Sequence, residues 1–129
     1  MFGRLLDRGY IDMTDLPLNS HWQARCFGRL ARGLTSEHYF TFGIKIIPPN
    51  YISWPVQATL VLAACKQGLD CALGNFGDEW VLWSHYSNEL DDQKLTSSIQ
   101  LQLALIHYLE RDMLKTAPAN KPRIWRREL

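Results

Sequence analysis

The stretch Trp54–Tyr86, WPVQATLVLAACKQGLDCALGNFGDEWVLWSHY, decides the fold. It reads as helix, strand, tight turn, strand. Pro55 suits the first turn of a helix, where its missing N–H has no partner to lose. Val56 to Gln67 are good helix formers, apolar around most of the circumference, and Gly68 stands where a helix end wants a left-handed residue. Cys71, Leu73 and Asn75 share one face of the next strand, with Ala72 and Phe76 on the other. Gly77-Asp78 is a two-residue hairpin signal. On the returning strand Trp80, Leu82, Ser84 and Tyr86 alternate with Val81, Trp83 and His85. Both faces are largely apolar. One can take the helix; the other needs a second cover, from this chain or another.

Outward from this core, His38–Ile47 is the clearest further strand, dense in aromatic and β-branched residues and stopped by Pro48-Pro49. His21–Phe27 is a second, with Trp22, Ala24 and Cys26 on one face. Between them GRLARG reads as a turn plus a short strand or bulge. Met1–Gly9 reads as a short helical turn with Phe2, Leu5 and Leu6 inward, too short to stand unless docked. Asp15–Ser20 reads as a loop. The last helix starts at Leu90-Asp91-Asp92, where either Asp can cap, and runs to about Lys115. Leu95, Ile99, Leu103, Leu105, Ile106, Leu109 and Met113 form its apolar stripe. Leu101 and Tyr108 widen that stripe to about 220°, more than docking on one sheet requires. The expected layout is one domain over residues 1–115, with 116–129 a loose basic tail.

A chain of 129 residues can bury a core without disulfides or metal. Its net charge of +1 provides no global attraction to nucleic acid or anionic membrane. No apolar run approaches the roughly 20 residues of a membrane span, and MFGRLLDRGYID lacks the apolar core of a signal peptide. Three unpaired-looking cysteines, Cys26, Cys65 and Cys71, suggest a reduced, cytoplasmic setting.

No catalytic, cofactor or metal site is expected. His21, His38, His85 and His107 fall in four elements with no ligand spacing. Ser84 and His85 point to opposite strand faces, the wrong geometry for an activated serine. The glycines build neither GxGxxG nor a P-loop. Lys121–Arg127 is a basic, Trp-bearing segment that suits phosphate or an acidic partner face, although a solvated tail is the plainer reading. What remains is apolar excess. Leu101 and Tyr108 on the last helix, with whichever of Trp80/Leu82/Tyr86 or Val81/Trp83 faces outward, are expected to form one continuous partner patch.

The order helix, strands, helix, hairpin, long helix is similar to the small chaperones of bacterial type III secretion. More narrowly, a set of spaced residues resembles the SpiC/SsaB family of type III secretion proteins. They are His21-Trp22, Gly28, Ala31-Arg32-Gly33, Phe40, Thr59–Ala64, Trp80, Tyr86 and Leu103-Ala104-Leu105. The resemblance implies an α+β fold, a twisted antiparallel sheet with helices packed on one side in the order α-β-β-β-α-β-β-α. It implies a non-enzymatic subunit, joined to a gatekeeper protein and a second small chaperone-like protein. That complex orders the export of translocators and effectors from the bacterial cytoplasm, and some members are themselves secreted. A homodimeric effector chaperone is the neighbouring alternative, and a small nucleic-acid-binding regulator a more distant one.

Overall fold

The computed structural model describes residues 2–13, 21–50, 52–65 and 71–113. Six antiparallel strands form one sheet: β1 (Asp12–Met13), β2 (His21–Cys26), β3 (Arg29–Thr35), β4 (Tyr39–Ile46), β5 (Cys71–Phe76) and β6 (Glu79–Ser87). Their order across the sheet is β1-β2-β3-β4-β6-β5. Helix α1 (Phe2–Asp7) precedes them, α2 (Trp54–Ala64) links β4 to β5, and α3 (Asp92–His107) follows β6. A single π-helical turn, Tyr108–Asp112, extends α3. The chain is therefore α+β, with its helices on one side of the sheet.

Alternation decides which side is covered. The inner row holds Trp22, Ala24 and Cys26 on β2, and Phe40, Phe42, Ile44 and Ile46 on β4, all buried. Leu82 and Tyr86 continue it on β6. Beneath lie Leu95, Ile99, Ile106, Leu109 and Met113 from α3 and its π-turn, Leu5 from α1, and Trp54 and Ala58 from α2. The Asp91 carboxylate caps α3, accepting from the Lys94 amide at 2.8 Å. Arg4 moors α1 by donating to the Leu90 carbonyl and the Asp92 carboxylate, both at 2.7 Å. That docking is what so short a helix needs.

Two elements differ from expectation, the first edge strand and the last helix. GRLARG holds the expected turn, at Gly28, and the expected strand, which runs as Arg29–Thr35 without a bulge. Its inner residues include Ala31 and Gly33, and Gly33 is bare because the Trp22 ring lies on it; a Cβ there would sit 2.0 Å from Trp22 Cε2. Asp12–Met13 adds a two-residue edge strand beside β2. The last helix widens into a π-turn rather than continuing as α to Lys115, which itself lies outside the described residues, as do Gly68, the Asp15–Ser20 loop and the tail 116–129.

Candidate partner-binding surface

The six residues expected to face a partner are split by the sheet. Leu82 and Tyr86 are buried on the inner row, so they are core and not surface. Tyr86 donates its hydroxyl to Gln102 of α3, and burial pushes its pKa up. Trp80, on the same row, is half-buried and meets Trp54 edge-on, ring centres 5.8 Å apart. Tyr108 is half-buried and packed against the core, and Leu101 is half-buried on α3.

Trp83 belongs to the opposite face, with Val81 and His85. Its indole spans three strands: a Cβ on Gly43 of β4 would lie 2.6 Å from Trp83 Cε3, and one on Gly74 of β5 would lie 3.3 Å from Trp83 Cδ1. Val81 is buried on this outer face. Leu101 and Tyr108 therefore cannot join Val81 and Trp83 in one continuous patch; the whole sheet stands between them.

The exposed large apolar side chains fall into two groups. Leu34, Tyr39 and Phe76 dot the outer sheet face, where the Arg32 guanidinium stacks 3.7 Å above the Phe76 ring. The other five, Phe27, Ile47, Ile52, Val56 and Leu60, belong to a different region. They lie along three open hollows, each sharing a wall residue with the next. The first, about 420 Å³, is walled by Phe27, Gly28, Arg29, Ile47, Pro49, Glu110 and Arg111. Pro49 is shared with the second, about 380 Å³, whose walls include Ile52, Trp54, Pro55 and Trp80. Pro55 is shared with the third, about 290 Å³, formed by Pro55, Val56, Thr59 and Leu60. The result is an apolar belt from the β2–β3 turn to the outer side of α2. Trp80 is the one sequence-expected partner residue on it.

Local chemistry builds each part. α2 contains no charged residue, so its side away from the core, with Val56 and Leu60, stays apolar. At the other end Phe27 and Gly28 both take positive φ, +51° and +84°, in the two-residue turn from Cys26 to Arg29. Glycine accepts that conformation freely, but phenylalanine does not. The turn leaves the Phe27 ring 63% exposed.

Beneath this end lies an ion pair. Arg29 donates twice to the Glu110 carboxylate, both at 2.7 Å, and the Ile47 amide donates to the same group at 2.7 Å. The Glu110 side chain is only 7% exposed. Burial raises its pKa, but the Arg29 bonds, the Ile47 amide and the Arg29 charge outweigh burial and hold the carboxyl below its ordinary value. Trp54 donates its indole N–H to the Leu109 carbonyl at 2.8 Å, fixing α2 to the π-turn.

For chemistry, the described residues bring no three His, Cys, Asp or Glu side chains together in a metal-binding arrangement. None of the three cysteines is in a disulfide, and burial pushes the Cys26 thiol up to about 12, far from a reactive thiolate. His85 Nδ1 lies 3.0 Å from Thr41 Oγ1 on the outer face, away from the belt. Among the described residues no helix is long and apolar enough to cross a membrane. The chain matches no family model, no curated protein and no solved structure.

Proposed function

We propose that the chain is a non-enzymatic, chaperone-like subunit of a type III secretion gatekeeper complex, ordering translocator and effector export from the bacterial cytoplasm. The observation that carries this reading is the belt: five exposed large apolar side chains along three joined hollows. Contiguous apolar surface of that kind marks a binding site, and large apolar side chains anchor such interfaces. The element order supports the same reading, since it follows the order that the resemblance to type III secretion chaperones implies apart from the added two-residue strand β1. The test is co-purification of the tagged chain from its own operon, with mass spectrometry of its partners, beside export assays in a deletion strain. Premature effector export and loss of a gatekeeper complex are expected. Normal export order in the deletion strain, with no stable partner, overturns the proposal.

A second reading, a homodimeric effector chaperone, is favoured by α2 itself. An apolar helix side without charge can pack on a copy of itself with no like-charge conflict. Sedimentation of the purified chain separates the two readings: a stable dimer abolished by Leu60→Lys supports the second.

A further inference from the structure

We infer that the Phe27–Ile47 end of the belt takes an acidic segment of a partner protein, an apolar anchor flanked by Asp or Glu. The inference rests on the belt being a binding surface, and not on the export role. Three observations meet there. Phe27 is held in the left-handed region, a conformation a bulky side chain adopts at a cost, and its ring is directed largely into solvent. Ile47 is 65% exposed on the same groove, so two apolar walls flank a space of about 420 Å³. The groove also lies against a π-turn, a feature that recurs at functional sites.

Charge selects the occupant. Glu110 is fully engaged by Arg29 and the Ile47 amide, so it offers nothing to a ligand cation. Arg111 is exposed on the wall and, among the described residues, is in no ion pair. Arg25 donates to the Gly28 carbonyl at 3.3 Å, bringing another guanidinium to the rim, with Asp12 across from it on β1. Arg25, Arg29 and Arg111 thus outnumber Asp12 and Glu110. Residues 114–129 are themselves basic in sequence, with Lys115, Lys121, Arg123, Arg126 and Arg127 against Glu128 alone. A basic segment, this chain's own residues 114–129 included, meets like charge here; an acidic one meets opposite charge.

The test uses the full chain and a fluorescein-labelled peptide with a Leu-Phe core flanked by Asp and Glu. In the control peptide Lys and Arg replace the acids. Fluorescence anisotropy is expected to show saturable binding of the acidic peptide and none of the basic one. Phe27→Asn suits the turn better than phenylalanine does. It should leave the unfolding temperature equal or higher while weakening acidic-peptide binding about tenfold or more. Arg111→Glu should reverse the preference between the peptides. Equal binding of both peptides, or of neither, overturns the inference, as a groove filled by residues 114–129 would give. A lowered unfolding temperature in Phe27→Asn with binding intact also overturns it, since the ring then serves the fold. So does a dimer dissolved by Phe27→Asn, because the occupant is then a second copy. Leu60→Lys serves as the control for the belt as a whole: if it weakens capture of co-purified partners while Phe27→Asn does not, the belt reading stands and this inference alone fails.

Discussion

At position 102 a polar side chain sits where the α3 stripe calls for an apolar one. Gln102 is wholly buried, donates to the Phe42 and Leu82 carbonyls at 3.1 Å each, and accepts from the Tyr86 hydroxyl. One residue thus ties α3 to β4 and β6. Gln102→Leu leaves the Tyr86 hydroxyl only the Ser98 carbonyl, at 3.4 Å, and should cost about 1–3 kcal/mol. The double variant with Tyr86→Phe should recover part of that loss in urea unfolding; no recovery refutes the role given to this bond. Gly43 carries a second residue-scale prediction. A methyl there meets Trp83 at 2.6 Å and Val81 Cγ1 at 2.7 Å, so Gly43→Ala should destabilise by about 1–3 kcal/mol. The penalty should shrink in a Trp83→Ala background, because the larger of its two steric partners is gone and only Val81 remains. Neither site was legible in the sequence. Gln102 reads as a gap in an apolar stripe, and Gly43 as a weak point in a strand, until the partner across the sheet is known. The alternation of Trp22, Ala24 and Cys26, by contrast, was legible because it is local.

At the scale of elements, the Arg29–Glu110 pair joins β3 to the π-turn, and the Ile47 amide adds the end of β4. The Glu110 carboxyl titrates lower in the folded chain than its ordinary 4.5. The folded state therefore holds the proton less tightly than the unfolded state. The stabilisation is complete above about 4.5 and is lost as pH falls through the lower folded value. Glu110→Gln leaves Arg29 half-buried without its anion and should cost about 3 kcal/mol at neutral pH. That gap from the unmodified chain should close as pH falls through the window below 4.5, followed by denaturant unfolding at several pH values. A gap that stays constant with pH means the carboxylate charge is not what holds the pair. The start of the last helix, with Asp91 or Asp92 as its cap, was readable from the sequence, since capping and periodicity are local. The π-turn was not, because it answers to Arg29 and Trp54, which are distant in sequence. The same holds for Phe27, which reads as the end of a strand; Gly28 directly after it was the available sign of a two-residue turn.

At the scale of the molecule, all helices lie on one side, so apolar surplus is distributed between an outer sheet face and the belt. The surplus itself was visible in residues 56–67, apolar around most of the circumference. Its location was not, because the side of the sheet that receives α3 depends on Phe42, Leu82 and Tyr86 meeting α3 across the fold. This separates Leu101 and Tyr108 from Trp83 and leaves α2 and the loops flanking it as the proposed partner surface. Leu60 tests that assignment most directly. It is 64% exposed on α2, next to Val56, on a helix with no charge to keep it soluble. An exposed substitution far from the core changes stability by no more than about 0.5 kcal/mol. Leu60→Lys should therefore leave thermal unfolding unchanged, while reducing self-association of the isolated chain and weakening partner capture about tenfold or more. Leu105→Lys, a half-buried position packed against the core, should instead lower the unfolding temperature. If Leu60→Lys unfolds early, its side chain belongs to the core. If it folds normally and still binds every partner at full strength, the belt is not the partner surface.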